Sequence, residues 1–320
     1  MKKIRFKVIL IVLVTLTKIP PFWLVIVALA TVQIIFGANY VVSKSILGHF
    51  PPLVWAVIRM ILAAVIMGTI LVMTRLKKHP SDGMKYFGPL AIYSIFGIIL
   101  NQSFFLMGLK RTTATNSAII NVLTPVFTML LVTISGKEAK SASSLRRNFG
   151  FLIALSGVLA VRKIEDFKFS DATFLGDVLT ILNCLCFAIF LTTSKKFMEA
   201  HDRLWTTFYL FVFAVFGIGL MSINEWSGFV MPEMTTPLLW SMVFAVIGAT
   251  IMTYFLNVWT LAHANPTHVA LGMYIQPIVA AILASIVFDE KISFRTTVAS
   301  GMIFIGLFLV IIGPSGANKK

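Results

Sequence analysis

The sequence predicts an all-α integral membrane protein whose ten transmembrane helices form two inverted repeats of five helices each. Three observations predict this fold: the composition, ten long apolar windows, and an internal repeat with a period of 152 residues. Of the 320 residues, 58% are hydrophobic and only 12% are charged, whereas a soluble domain is about 25% charged. A mean hydropathy of +0.93 therefore places the chain in a bilayer.

Ten windows are apolar enough to cross a membrane, which takes about 20 residues of helix. We number them spans 1 to 10. In chain order they cover residues 22–46, 52–74, 86–109, 114–135, 146–162, 173–195, 204–224, 237–262, 267–288 and 294–313. The fifth window is the shortest of them.

Residues 1–21 precede the first span and combine a basic start with a short apolar run. This pattern resembles a signal peptide, but no small-residue cleavage site follows. The run from Val8 to Leu16 is also too short to cross a bilayer. We therefore predict that this segment lies as a helix in the inner interface of the membrane.

The net charge of +15 is a topology signal, because Lys and Arg accumulate on the cytoplasmic side of membrane proteins. With the N-terminus inside, 18 of the 27 basic residues fall on the inner side and 8 on the outer side, and Arg59 lies within a span. The distribution predicts a multi-pass membrane protein with both termini in the cytoplasm. It argues against a nucleic-acid partner.

The chain repeats itself when Pro125 is aligned with Pro277, because a stretch of 30 residues then aligns without a gap. Each proline is followed 13 positions later by an acidic residue, Glu138 or Glu290. Each repeat holds five spans, an odd number, so the second repeat must enter the membrane from the opposite side. The predicted units are a first repeat at 22–164, a linker at 165–172, a second repeat at 173–313 and a tail at 314–320. Inverted repeats with interrupted helices are a recurring plan of secondary transporters.

Several motifs in a fixed order resemble one group of transporters. They are "FGANYVVSK" in span 1, Arg59 in span 2, the prolines of spans 4 and 9, and the "GKE" and "FDE" ends of those spans, each followed by a glycine-containing span. Together they resemble the drug/metabolite transporter superfamily and its EamA-type ten-helix members, over residues 22–313. The resemblance implies inner-membrane carriers, often exporters, of amino acids and related small metabolites. It also implies that spans 1, 3, 4, 6, 8 and 9 line a central cavity.

Polar side chains occur on the same six spans, often at spacings of three and four residues that place them on one helical face. Since a polar group facing lipid is costly, such stripes should face the bundle interior or water. Two interpretations stay open for each residue: it lines a substrate cavity, or it bonds to its own or a neighbouring helix. The predicted substrate-binding residues are Asn39, Tyr40, Asn101, Gln102, Asn121, Asn183, Tyr254, Asn257, Trp259, Tyr274 and Gln276.

Five further residues are predicted to act as hinges or gates. Pro125 and Pro277 interrupt spans 4 and 9 and would bend them. Glu138 and Glu290 close the same spans on opposite faces of the membrane, where they could cap loops or form gate-locking ion pairs. Arg59 could extend to the outer interface, or it could anchor a gate or attract a substrate carboxylate.

These features predict a secondary transporter, not driven by ATP, that exports amino acids or related small metabolites by alternating access. We expect it to work as a monomer in the lipid bilayer, without a cofactor or metal. The spans carry no phosphate-binding loop, nucleophile–base pair or metal-ligand cluster, so an enzyme is not expected. Carboxylates are nearly absent at mid-membrane, which favours facilitated export over a proton-coupled drug or metabolite antiporter. A channel-like or receptor-like bundle is the remaining alternative.

Overall fold

The computed structural model describes residues 22–74, 83–135, 172–264, 272–290 and 293–311, with a few further positions between 149 and 157 and residue 269. All regular structure within these residues is helical. The predicted interfacial segment, most of span 5, the linker up to residue 171, the C-terminal tail and Glu138 lie outside the described residues.

The helices begin and end close to the predicted windows. Spans 1, 2, 6, 7 and 10 are the uninterrupted helices Phe22–Ile46, Pro52–Thr74, Ala172–Ala200, Arg203–Met221 and Phe294–Ile311. Span 3 consists of Met84–Ser94, the π-helical Ile95–Ile99 and Leu100–Arg111, and span 4 of Ala114–Asn121 and Leu123–Ile134. Span 8 consists of Thr236–Val243, the π-helical Phe244–Met252 and Thr253–His263, and span 9 of the 3-10 turn Gly272–Tyr274 and Ile275–Phe288. A short helix, Ile223–Trp226, follows span 7.

Seven of the described helices, those of spans 1 to 4 and 6 to 8, are long and apolar enough to cross a membrane. Spans 9 and 10 contribute shorter apolar helices. The outside of the bundle is apolar, with Phe216 and Leu220 exposed by 72% and 73%, whereas polar side chains such as Gln33 and Thr250 are fully buried. This distribution suits a lipid solvent, and the chain is a multi-pass membrane protein.

Four spans are interrupted, and the interruptions accommodate both mid-span prolines. Span 4 breaks at Val122, and span 9 changes from a 3-10 turn to an α-helix after Tyr274. Pro125 and Pro277 are each the third residue of the helix that follows. The first turn of a helix has no intrahelical acceptor for its backbone N–H groups, so a proline there removes no hydrogen bond.

Glycines allow close crossings between spans of the two predicted repeats. A Cβ atom on Gly108 in span 3 would lie 2.8 Å from the carbonyl oxygen of Gly176 in span 6. A Cβ atom on Gly37 in span 1 would lie 2.7 Å from the Cβ atom of Val279 in span 9. Small residues at such crossings let membrane helices gain van der Waals contact. Span 6 also packs along span 4, so spans of both predicted repeats surround the centre of the bundle.

Two half-buried lysines hold the ends of helices. Lys44 Nζ donates to the carbonyl oxygens of Leu109 and Thr112 at 2.8 and 2.6 Å, where span 3 ends. Lys195 Nζ donates to the carbonyl oxygen of Ala264 at 2.9 Å, just beyond the end of span 8. The last carbonyls of a helix lack intrahelical donors, and a cation there also complements the helix dipole. The two lysines therefore tie span 1 to span 3 and span 6 to span 8.

We expect Lys195→Met to lower the free energy of unfolding by about 2 kcal/mol, because it removes charge-assisted hydrogen bonds from buried carbonyls. The neighbouring Lys196 is exposed, and Lys196→Met is the matched control, with an expected change within about 0.5 kcal/mol. Titration of the purified protein in mixed micelles with a denaturing detergent measures both values. Equal stability of the two variants would show that the Lys195 contact contributes nothing.

Candidate functional site

A small cavity of about 50 Å³ lies between the spans near the centre of the bundle. Six spans line it, and they are spans 1, 3, 4, 6, 8 and 9, the set that the family resemblance implies. The lining residues are Phe36, Asn39, Tyr40, Asn101, Gln102, Phe105, Asn121, Asn183, Phe187, Tyr254, Met273 and Gln276.

Eight of the eleven predicted substrate-binding residues line this cavity, and three do not. Asn257 is buried one turn beyond Tyr254, with no hydrogen-bond partner for its Oδ1 atom. Trp259 is fully buried and packs against His263, with 4.7 Å between the ring centroids. Tyr274 lies at the break in span 9, half-buried, with its ring against Phe304. These three residues lie outside the lining of the cavity.

The apolar part of the lining was missed by the sequence analysis. Phe36, Phe105, Phe187 and Met273 face the cavity. The chain has 28 phenylalanines and 15 methionines, and most of the spans are apolar on every side. An apolar residue that faces a cavity therefore looks the same in sequence as one that faces lipid or another helix.

A continuous chain of side-chain hydrogen bonds begins at Arg59 in span 2. Arg59 Nη2 donates to Gln102 Oε1 in span 3. Gln102 Nε2 donates to Tyr254 Oη at 2.8 Å and to Asn101 Oδ1 at 3.3 Å. Asn101 Nδ2 donates to Asn183 Oδ1 in span 6. The Tyr254 hydroxyl in turn lies 3.3 Å from a backbone carbonyl in the π-helical segment of span 3, to which it donates.

The chain continues through spans 4, 9 and 1. Asn183 Nδ2 donates to Asn121 Oδ1 at 3.0 Å, and Asn121 Nδ2 donates to Gln276 Oε1 at 3.1 Å. Gln276 Nε2 donates to Gln33 Oε1, and the Tyr40 hydroxyl donates to Gln276 Oε1 at 3.2 Å. With Tyr254 on span 8, one network connects seven spans.

Arg59 and backbone carbonyls together set the direction of the donors in this chain, since Asn101 Nδ2 also donates to the backbone oxygen of Asn183 at 3.2 Å. A guanidinium group only donates, so Gln102 must turn its carbonyl oxygen toward it and its amino group away. The next amide, Asn101, then receives a donor and must donate onward, and the same holds through Asn183. The chain is a polarised row of amides, an arrangement in which each hydrogen bond strengthens the next.

Arg59 is 1% exposed and does not extend to the outer interface. The interpretation that it snorkels beside the headgroups is therefore not supported. Its Nε and Nη1 atoms are buried and have no hydrogen-bond partner in the part of the chain that the structure describes. Among the described residues, no acidic side chain pairs with this cation.

Glu290 caps the first turn of span 4. Its carboxylate accepts hydrogen bonds from the backbone nitrogen of Ala114 at 3.3 Å and from the Thr115 hydroxyl at 2.5 Å. Carboxylates at a helix N-terminus satisfy free N–H groups and complement the dipole. The residue thereby joins the end of span 9 to the start of span 4. Its predicted counterpart, Glu138, lies outside the described residues.

The chemistry of the cavity is that of amides, hydroxyls and aromatic rings. Within the described part of the chain, no group of three His, Cys, Asp or Glu side chains gathers as metal ligands would.

A cavity lined by polar and aromatic side chains between membrane spans is the usual place of substrate binding in secondary transporters. Comparison with known proteins shows the class. The model of the EamA-like transporter family matches residues 9–162 and again residues 174–312. The chain belongs to the EamA-like transporter family, and the resemblance found in its motifs is confirmed.

Similar proteins occur in an archaeon and in a plant. An "Uncharacterized transporter" of Archaeoglobus fulgidus is 27% identical over 283 residues, which cover 88% of this chain and 95% of the relative. "Protein WALLS ARE THIN 1" of Arabidopsis thaliana is 21% identical over 333 residues, covering 92% of this chain and 84% of the relative. A solved structure described as "Crystal structure of protein" has the same fold, with a TM-score of 0.62 at 14% identity over 88% of this chain and 95% of that chain.

We expect a cysteine at position 121 to react with a charged, water-soluble thiol reagent about tenfold faster than one at lipid-facing Ile278, because thiolates form only where water reaches. Asn121→Cys and Ile278→Cys are made in a Cys184→Ala/Cys186→Ala background and labelled in membranes. Asn257→Cys should react more slowly than Asn121→Cys, since Asn257 lies outside the cavity surface. Equal labelling at positions 121 and 278 would show that water does not reach the row of amides.

Proposed function

We propose that this protein is a secondary transporter that exports amino acids or related small metabolites, without ATP, by alternating access through the central cavity. The observation that carries the proposal is the row of amides across the lining spans, next to an aromatic wall. Amides can both donate and accept, so they can exchange hydrogen bonds with a polar solute instead of with one another. Substrate pockets usually occupy about 300–1,000 Å³, and the present cavity is smaller, as expected for a closed state.

The inverted repeat is part of this proposal, and three observations support it. The family model matches the chain twice, once on each predicted repeat. The π-helical segments interrupt spans 3 and 8, and the other breaks interrupt spans 4 and 9, which are paired by the 152-residue offset. Lys44 and Lys195 cap the ends of the paired spans 3 and 8. Two halves of similar build can exchange their arrangements and open the cavity to each side in turn.

The cavity lining favours facilitated export over proton coupling. The twelve lining residues include no Asp, Glu or His, and a proton-coupled antiporter usually places such a group in its pathway.

The proposed topology puts both termini in the cytoplasm and the end of span 9 at the outer face.

Glu290 is the proposed outer gate. Its carboxylate joins spans 4 and 9, two cavity-lining helices of different predicted repeats, at their outer ends. Pro125 and Pro277 lie in these same two spans next to their breaks, where bending would separate the ends. In this proposal, release of the carboxylate from span 4 accompanies opening to the outside.

Counterflow in proteoliposomes tests the transport function. Vesicles loaded with a mixture of unlabelled amino acids should accumulate at least one labelled amino acid transiently and saturably, because a carrier exchanges solute across the membrane faster than net leakage. Protein-free vesicles are the control. Single-channel current under the same conditions, without saturable exchange, would instead identify the channel-like alternative.

Glu290→Ala should increase labelling of Asn121→Cys from the outside about fivefold, because it removes a helix cap of about 1 kcal/mol that holds the outer side closed. Glu233, an exposed acid in the preceding outer loop, gives the matched control Glu233→Ala. An unchanged labelling rate in Glu290→Ala would refute the gate while leaving the transport assay to judge the function.

A further inference from the structure

We propose that the transported solute carries a carboxylate and that Arg59 binds it in exchange for the side chain of Gln102. This inference rests on the proposed transport function and names the substrate class. Among the described residues, Arg59 is the charged side chain that lies buried next to the cavity.

The burial of Arg59 is unusual for a cation without a counter-ion. Arginine is almost never fully buried unless it is paired, because desolvation of the charge is expensive. Here the guanidinium is 1% exposed and, among the described residues, bonds only to an amide oxygen, with Nε and Nη1 left without a partner. An intramembrane charge in this state indicates a ligand that completes its coordination.

The guanidinium of Arg59 could bind a carboxylate with two hydrogen bonds if Gln102 moved aside. The fork of a guanidinium presents parallel N–H groups that two carboxylate oxygens accept together, and each such pair includes one Nη atom and its neighbour. In the structure Nη2, which belongs to both pairs, is occupied by the carbonyl oxygen of Gln102, while Nε and Nη1, with three N–H groups between them, have no partner among the described residues. The Gln102 oxygen thus occupies a position that a carboxylate oxygen would fill with a stronger, charge-assisted bond.

Gln102 connects the cation to the cavity. It lines the cavity, and its amino group is held by Tyr254 and Asn101. Rotation of this one side chain would open a path from the cavity to the guanidinium and free the Tyr254 hydroxyl and the Asn101 amide for the solute. The exchange replaces one acceptor of Arg59 with another, so the cation is never left without one.

The remaining lining indicates what else the solute can be. Phe36, Phe105 and Phe187 provide an apolar wall, and the lining includes no acid that would attract an ammonium group. The cavity therefore favours carboxylates with a compact apolar or neutral remainder and disfavours organic cations.

Counterflow of matched compounds tests this inference. Proteoliposomes receive labelled leucine, its 2-oxo acid and its primary amide, and the corresponding sets for alanine and phenylalanine. We compare the wild type with Arg59→Gln, with Gln102→Glu and with the control Arg111→Gln, whose side chain bonds to its own helix at the end of span 3. Gln102→Glu is nearly isosteric and gives Arg59 an internal counter-ion, so it should fold with a thermal stability at or above that of the wild type.

We expect the wild type to exchange an acid at least about tenfold faster than its amide, and both Arg59→Gln and Gln102→Glu to lose about tenfold or more of that acid flux. Arg111→Gln should stay within about twofold of the wild type, since its charge lies outside the cavity. Acid flux that persists in the folded Gln102→Glu variant, or a preference for amides over acids, would overturn the carboxylate site while transport stands. Absence of saturable flux for every compound would overturn the proposed function and this inference with it.

Discussion

The hydrogen-bond chain that starts at Arg59 is the interaction on which the rest of the structure depends. It connects side chains of seven spans, and its direction is fixed by groups that can only donate or only accept. These are the guanidinium of Arg59 at its start and the backbone carbonyl oxygens that accept from Asn101 and Tyr254. Without the cation, the carbonyl oxygen of Gln102 would lose its donor, and the row would lose its starting point. A buried polar network specifies one packing of its helices to the extent that its groups are satisfied. Among the described residues, the amides inside this row are paired, whereas Arg59 Nε and Nη1 at one end and Gln33 Nε2 at the other have no partner.

The irregular backbone of the bundle gathers around the same network. The π-helical segment of span 3 directly precedes the turn that carries Asn101 and Gln102, and the one in span 8 directly precedes Tyr254. Asn121 ends the first half of span 4, and Gln276 follows the 3-10 turn of span 9. Non-helical backbone is tolerated at membrane depth only where protein or water satisfies it. The amides therefore lie next to the breaks at which these spans can bend. Binding of a solute to the amides can thereby be coupled to bending of the helices.

Much of this arrangement follows from sequence, because lipid imposes a simple rule. A bilayer requires long apolar helices with their polar groups turned inward, so the helix limits and eight of the lining residues could be predicted from stripes and spacing. Asn257 and Trp259 show the limit of the rule: both turn inward, yet a stripe cannot tell a cavity surface from the layer behind it. The orientation of Arg59 was left open for a similar reason, since its long side chain can extend either way. The position of Gln102 on the neighbouring helix determines which way the side chain of Arg59 extends.

The most direct test is an experimental structure of the protein in a lipid environment, determined with a transported solute bound. The account predicts that the solute lies between spans 1, 3, 4, 6, 8 and 9, in contact with the amides of Asn101, Asn121 and Asn183, with the amide row interrupted where the solute enters. A solute bound elsewhere in the bundle, with the row from Arg59 to Gln33 still intact, would contradict it.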